Sequence, residues 1–172
     1  EIAKAVTPRG KIALKRGGSV LLIQAGAQAP DEAMRREAAN NFSVTPFSGF
    51  AQRKNGATDS ANVSRALRLT AAKGGNDFLI VYWETLEGGL RANGTLDWRA
   101  VRGDLPFDAE QVRLRLRVLI MDVKTAQWAV ATPETLEDKS ARGGWFRKPT
   151  SAQRVANLKE RAYKHALQEV LR

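Results

Sequence analysis

The chain has 172 residues, 43% of them hydrophobic, which is enough for one domain with a substantial core. It contains 28 Lys and Arg against 18 Asp and Glu, and the formal net charge of +10 favours anionic partners such as nucleic acid, phospholipid headgroups or acidic polysaccharide. The absence of cysteine excludes disulfides, thiol nucleophiles and cysteine metal sites within this sequence.

The first forty residues predict a lead, a strand and a helix. Residues 1–18 are basic and end in two glycines, so we predict a flexible basic lead over 1–18 and a single α/β domain over 19–172. The continuous apolar run at 20–23 is typical of a strand covered on both faces, and we expect it to be the central strand. Pro30, Asp31 and Glu32 then favour a helix start, which predicts a helix over 31–40.

The next forty residues repeat the strand and helix alternation. Residues 42–47 alternate until Pro46 interrupts hydrogen bonding, which predicts an edge strand. A polar loop over 48–59 follows. Apolar residues at helical spacing, ended by Gly74 and Gly75, predict a second helix over 61–73. The run at 78–83 is rich in β-branched and aromatic residues and predicts a second buried strand beside the first.

The second half of the chain predicts a hairpin between two long connections. Residues 87–106 contain four glycines without a sustained period and are expected to form a long functional or mobile loop. Strict alternation over 112–131 predicts a long antiparallel hairpin. Residues 132–149 form a second long connection. Thr150 and Gln153 match a capping box, which predicts a closing helix.

The resulting order is β-α-β-α-β-β-β-α. Strands joined by helices favour parallel pairing, and the hairpin adds antiparallel strands. The predicted fold class is therefore α/β, a single domain with a mixed β-sheet packed against helices and a long antiparallel hairpin at 112–131.

The hairpin also carries a resemblance. With its arginine-rich first strand and its Asp122, Thr125 and Trp128 turn pattern, it resembles the periplasmic lipoproteins related to the curli-secretion pore, the penicillin-binding-protein activators and a polysaccharide-export lipoprotein. Ala126 stands where those families have glycine. The resemblance implies a periplasmic location, anchoring to the outer membrane through a signal peptide and a lipidated cysteine upstream of Glu1, and work by binding or assembly.

Three arginines of the hairpin are candidate contact residues. Arg113, Arg115 and Arg117 alternate with apolar residues, so they share one face at a spacing of about 7 Å. This spacing is close to the charge repeat of a polyanion, which predicts binding to an anionic polymer. The alternative is that the arginines lie over neighbouring side chains or pair with acids.

A second candidate contact segment lies in the long connection before the last helix. Its residues combine aromatic rings with cations, as membrane-surface and protein-contact loops do: Trp145, Phe146, Arg147 and Lys148. The alternative is that the aromatic rings pack into the domain and anchor the loop. Both interpretations stay open.

Catalytic signals are scarce. His165 is the sole histidine, and its position favours a solvent-facing helix residue over a general base. No His, Cys or carboxylate cluster has metal-ligand spacing, and the segment after the first strand lacks a phosphate-binding glycine motif. We therefore expect no enzyme activity, metal or cofactor. A glycan-directed enzyme using Glu84 or Glu134 is the weakest hypothesis.

Two function hypotheses remain. The first is a non-enzymatic cell-envelope lipoprotein domain that binds envelope proteins or an anionic polysaccharide in assembly or export. Such a domain could also contact a membrane surface or form homo-oligomers. The alternative is an RNA-binding α/β module that uses a basic sheet face, although the arginines are not interleaved with Phe or Tyr.

Overall fold

The computed structural model describes residues 12, 14–47, 60–102, 109–139 and 150–171. The chain forms three helices and seven strands in these ranges, and the predicted α/β domain with a mixed sheet is confirmed. In chain order the elements are β1 (Ser19–Gln24), α1 (Glu32–Ala39), β2 (Ser43–Pro46), α2 (Ser60–Lys73), β3 (Phe78–Ala92), β4 (Thr95–Ala100), β5 (Gln111–Asp122), β6 (Trp128–Ala131), β7 (Leu136–Lys139) and α3 (Ser151–Val170).

The sheet is built around β3. Its main path is β2-β1-β3-β5-β6, with β4 added to β3 and β7 added to β5. The pairs β1–β2 and β1–β3 are parallel and the other pairs are antiparallel. This agrees with the prediction that strands joined by helices pair in parallel and that the hairpin adds antiparallel strands. The prediction that residues 20–23 form the central strand is wrong, because β3 pairs with three strands whereas β1 pairs with two.

The predicted loop over 87–106 is largely a second hairpin. Strand β3 continues to Ala92 and turns at Asn93 and Gly94 into β4. Both turn residues have positive φ, 50° and 82°, which is the geometry of a type I′ turn and favours an Asn-Gly pair. Two of the glycines that suggested a loop, Gly88 and Gly89, lie within β3. At Gly89 a Cβ would approach the Leu96 side chain to 3.1 Å, so its hydrogen allows close packing.

The second predicted connection, 132–149, also contains a strand. Residues 136–139 form β7, which pairs with the first half of β5. Residues 140–149 lie outside the described residues, as does the predicted polar loop over 48–59. The predicted hairpin at 112–131 is confirmed, although its second strand, β6, has only four residues.

The helices cover the two sheet faces unequally. Helices α1 and α3 pack on the face that carries Val112, Leu114 and the other even-numbered apolar residues of β5, and this is the first core. Helix α2 packs on the opposite face through Leu67 and Ala71, and this is the second core. Leu14, within the predicted lead, is 8% exposed and belongs to the first core.

The helix starts agree with the sequence. Asp31 is the N-cap of α1, where its Oδ1 accepts a hydrogen bond of 2.9 Å from the Ala33 amide. The capping box of α3 is present, because the Thr150 hydroxyl accepts from the Gln153 amide and the Gln153 side chain accepts from the Thr150 amide. These caps satisfy amides that the first helical turn leaves without intrahelical partners.

Candidate functional site

The three hairpin arginines lie on the sheet face that α2 covers in part. Arg113, Arg115 and Arg117 pair across β5 and β3 with Glu87, Thr85 and Trp83, so these six residues share one face. The second core ends at Val81 and Leu119 on the same strands. The arginines therefore occupy the part of this face that lies beyond the second core.

Two of the arginines are bound to one acid. The side chain of Glu87 is 9% exposed, and its two carboxylate oxygens accept from Arg113 Nε at 2.5 Å and from Arg115 Nη2 at 2.9 Å. The Arg113 guanidinium also lies 4.2 Å from the centre of the Trp98 ring, a cation–π contact. Arg113 and Arg115 therefore follow the second of the two interpretations given above, in which the arginines pair with acids. Glu137 of β7 lies opposite Arg113 and adds a second acid at this end of the row.

Arg117 differs from the other two arginines. It is exposed and forms no ion pair with the described residues. Its cross-strand neighbour Trp83 is 40% exposed, which is unusual for a tryptophan in the middle of a sheet. Val130 on β6 is 36% exposed in the adjacent row. We call Trp83, Thr85, Arg115, Arg117 and Val130 the outer-face patch.

A network of polar side chains lies on the opposite sheet face, between α1, α3 and β3. Lys159 Nζ donates to Asp31 Oδ2 at 2.7 Å and to Glu84 Oε1 at 3.0 Å. The Tyr163 hydroxyl donates to the other Glu84 oxygen. Tyr82 packs edge-on against Tyr163, with 5.9 Å between ring centres. The network joins residues that are up to 128 positions apart.

The network shifts several pKa values. Burial raises the pKa of Asp31, but the hydrogen bonds from Lys159 and from the Ala33 amide outweigh it and hold that pKa below its ordinary value. Burial lowers the pKa of Lys159, and its bonds with Asp31 and Glu84 outweigh that effect and raise it. Burial and the Glu84 charge raise the pKa of the Tyr163 hydroxyl. At neutral pH Asp31 is therefore ionised, Lys159 is charged and the Tyr163 hydroxyl is neutral.

A cleft of about 670 Å³ opens beside this network, between α1 and the first half of α3. Ala33, Leu86 and Val155 contribute apolar walls, and Lys159 lies at its edge. The exposed ion pair between Arg36 and Glu160, at 3.2 Å, also borders it. Each charged side chain that lines this cleft is thus held in an ion pair.

The remaining predicted residues have separate positions. Trp145, Phe146, Arg147 and Lys148 lie outside the described residues. His165 was expected to face solvent, but it is half-buried, and its shielded Nδ1 has no hydrogen-bond partner among the described residues. Glu84 is held by Lys159 and Tyr163, and Glu134 is exposed.

Sequence reasoning missed Trp83, Glu87 and Trp98 as members of the arginine face. Trp83 ends the strand that was predicted over 78–83, where its cross-strand partner could not be read from the sequence. Glu87 and Trp98 lie in the strand extension and in β4, which were predicted as a loop. A usable signal was Asn93-Gly94, a dipeptide typical of hairpin turns. In the described ranges, no three His, Cys, Asp or Glu side chains group as metal ligands would, and no helix is both long and apolar enough to cross a bilayer.

These features define a basic α/β domain whose mixed sheet has one face only partly covered by the described helices. The chain belongs to the YafT bacterial lipoprotein family, whose model matches residues 1–172. The family confirms the coarser part of the predicted resemblance, a bacterial lipoprotein domain of the cell envelope. No curated protein sequence matches the chain.

Several solved structures are similar to this one. A PelC dodecamer from Paraburkholderia phytofirmans is 11% identical with a TM-score of 0.44, and the match covers 92% of this chain and 91% of that chain. The hypothetical protein CT253 from Chlamydia trachomatis is 12% identical with a TM-score of 0.48, and the match covers 90% of this chain and 96% of that chain.

Proposed function

We propose that this protein is a non-enzymatic cell-envelope lipoprotein domain that binds an acidic polysaccharide through the outer-face patch. The observation that carries the proposal is the pairing of Trp83 with Arg117 across two strands, both exposed. We further propose a periplasmic location with an outer-membrane anchor on a lipidated cysteine upstream of Glu1, which family membership supports.

The chemistry of the patch fits a sugar acid. The exposed Trp83 ring offers a flat apolar surface on which a sugar ring can stack, with a polar edge for solvent. The Arg117 guanidinium beside it can take a carboxylate through two parallel hydrogen bonds. Arg115 is 55% exposed even though one of its nitrogens binds Glu87, so it can reach a second carboxylate.

The test is isothermal titration calorimetry of the purified domain with polygalacturonate and with neutral dextran, each at two salt concentrations. We expect polygalacturonate to bind, more weakly at high salt, and dextran not to bind. Trp83→Ala and Arg117→Ala should each lower the affinity about tenfold, since each removes a stacking surface or a charged hydrogen-bond donor. The matched control is Arg99→Ala, an exposed arginine on the opposite face of β4 that pairs with Asp97.

A gain-of-binding variant sharpens this test. Glu87→Gln removes the acid that holds Arg113 and Arg115, so both guanidiniums become available to the polymer and the affinity should rise. Equal losses in Arg99→Ala and Arg117→Ala would show that net charge alone drives binding. No binding of polygalacturonate, or an affinity unchanged by Trp83→Ala and Arg117→Ala, would contradict the proposal.

The RNA alternative gains one observation from the structure. Trp83 and Trp98 lie beside the arginines on the same face, whereas the sequence showed no Phe or Tyr interleaved with them. Single-stranded RNA bases stack on such rings. The same titration with single-stranded RNA decides between the two, because RNA binding tighter than polygalacturonate, with a steep salt dependence, would favour a nucleic-acid module.

A further inference from the structure

Helix α2 has a charge pattern unlike that of the other two helices. It contains Arg65, Arg68 and Lys73 and no acidic residue over Ser60–Lys73. Both α1 and α3 carry acids as well as bases. A 14-residue helix with three positive charges and none negative is an electropositive element on the molecule's surface.

Packing on the sheet determines which way these cations point. Leu67 and Ala71 are buried in the second core, at 9% and 0% exposure, and they orient the helix. At 3.6 residues per turn, Arg65, Arg68, Leu69 and Lys73 then share an arc of about 140° on the opposite side. All four are exposed, and none of the three cations forms an ion pair with the described residues.

Leu69 lies in the middle of this outer face. Its side chain is 54% exposed, the highest value among the large apolar residues that the structure describes. An exposed leucine surrounded by long cationic side chains is the arrangement of helices that lie on bilayer surfaces. There the apolar residue enters the interface while the Lys and Arg charges remain among the headgroups.

We infer that the outer face of α2, formed by Arg65, Arg68, Leu69 and Lys73, docks on an anionic lipid surface. The occupant follows from charge complementarity and from membership of a lipoprotein family, since a lipid-anchored domain is held close to phospholipid headgroups. The inference does not rest on the proposed polysaccharide site. The two surfaces lie on the same side of the sheet but are separate, because α2 covers the second core and the outer-face patch lies beyond that core on β3 and β5.

Vesicle co-sedimentation of the domain tests the inference. Wild-type protein is mixed with vesicles of phosphatidylcholine alone or of equimolar phosphatidylcholine and phosphatidylglycerol. We expect binding to the anionic vesicles only. The variant Arg65→Gln/Arg68→Gln/Lys73→Gln should bind roughly 100-fold more weakly, since each cation near an anionic surface contributes about fivefold. Leu69→Ala should weaken binding by several fold at constant charge.

The matched control removes the same number of positive charges elsewhere. Arg99→Gln/Arg161→Gln/Lys164→Gln changes three exposed cations on β4 and α3 and should retain most of the binding. Circular dichroism should be unchanged in all variants, because each altered side chain is exposed. Failure of the wild type to bind anionic vesicles, or an equal loss in both triple variants, would overturn the inference.

The outcome is separable from that of the polysaccharide proposal. Trp83→Ala leaves α2 unaltered and should bind anionic vesicles as the wild type does. If Trp83→Ala abolishes vesicle binding while the α2 variant retains it, the lipid-binding surface is the outer-face patch and the inference for α2 is wrong.

Discussion

At the scale of single residues, Ala126 is the most constrained position in the hairpin turn. Its φ of 60° lies in the left-handed region that favours glycine. The turn holds it there because the Ala126 amide donates to the Asp122 carbonyl at 2.9 Å and the Thr125 amide donates to Asp122 Oδ1 at 2.7 Å. The glycine found here in the families that the hairpin resembles would adopt this conformation without steric cost.

We therefore expect Ala126→Gly to raise the free energy of unfolding by about 1 kcal/mol. The variant removes the steric cost of a left-handed alanine, and this gain is larger than the loss from the extra conformational entropy that glycine gives the unfolded chain. Urea unfolding followed by circular dichroism measures the change. The control is Ala129→Gly, in the middle of β6, which should destabilise by roughly 0.5–1 kcal/mol. Destabilisation by Ala126→Gly would show that the turn does not strain the alanine.

The arginine row shows how far single-residue reasoning from the sequence extends. Alternation predicts that Arg113, Arg115 and Arg117 share a face, and the structure confirms it. It does not reveal that Glu87 binds two of them, because Glu87 lies 26 and 28 positions away on a strand whose second half was predicted as a loop. Cross-strand partners depend on register, which the sequence of one strand does not determine.

At the scale of elements, the network of Asp31, Glu84 and Lys159 fastens α1 and α3 to β3. Lys159 binds a carboxylate from each neighbour, and its side chain is 20% exposed. A charge so far removed from water needs an ionised partner beside it. The attachment of α1 to α3 therefore depends on the ionisation of Asp31.

This dependence predicts a loss of stability in acid. The folded-state pKa of Asp31 lies below its ordinary value, so its contribution is present at neutral pH and is lost as the pH falls through that folded-state pKa. Asp31→Asn keeps an N-cap oxygen but removes the charge. It should lower the free energy of unfolding by about 1 kcal/mol at pH 7. The difference from wild type should shrink between about pH 5 and pH 2.

Urea unfolding at several pH values measures this difference. Glu160→Gln is the control, since Glu160 forms an exposed ion pair with Arg36 whose contribution is small at any pH. A stability difference between wild type and Asp31→Asn that stays constant down to pH 2 would mean that the Asp31 charge does not stabilise the fold.

Most elements were predicted in the correct place, and those that were missed are β4, β7 and the glycine-containing second half of β3. Helix α3 was predicted because its apolar stripe and its capping box indicate the same helix. Strand β7 has four residues, too few for alternation to stand out, and the glycines of β3 hid its second half. Gly89 is tolerated in this strand because the Leu96 side chain fills the space beside it.

At the scale of the whole molecule, the two cores are joined through shared strands. Strands β1, β3 and β5 each send alternate side chains into both cores, for example Leu22 into the first and Leu21 into the second. Loss of either core therefore exposes one face of the same strands. This arrangement favours unfolding in a single cooperative step.

We predict that Leu158→Ala in the first core and Leu67→Ala in the second each destabilise the protein, by about 3 and 2 kcal/mol respectively. In both variants, unfolding curves from tryptophan fluorescence and far-ultraviolet circular dichroism should coincide, with the denaturant slope of the wild type. Separated curves for Leu67→Ala would show that α2 and the second core unfold independently.

The lengths of the strands bear on how copies of this protein meet. Where the structure describes the sheet's borders, they are formed by β2, β4, β6 and β7, which have 4, 6, 4 and 4 residues, whereas the two longest strands, β3 and β5 with 15 and 12 residues, lie in the interior. Short borders, one of them containing Pro46, offer few free amides for backbone pairing with another chain. Crowded copies of this protein are thereby discouraged from joining edge to edge into fibrils.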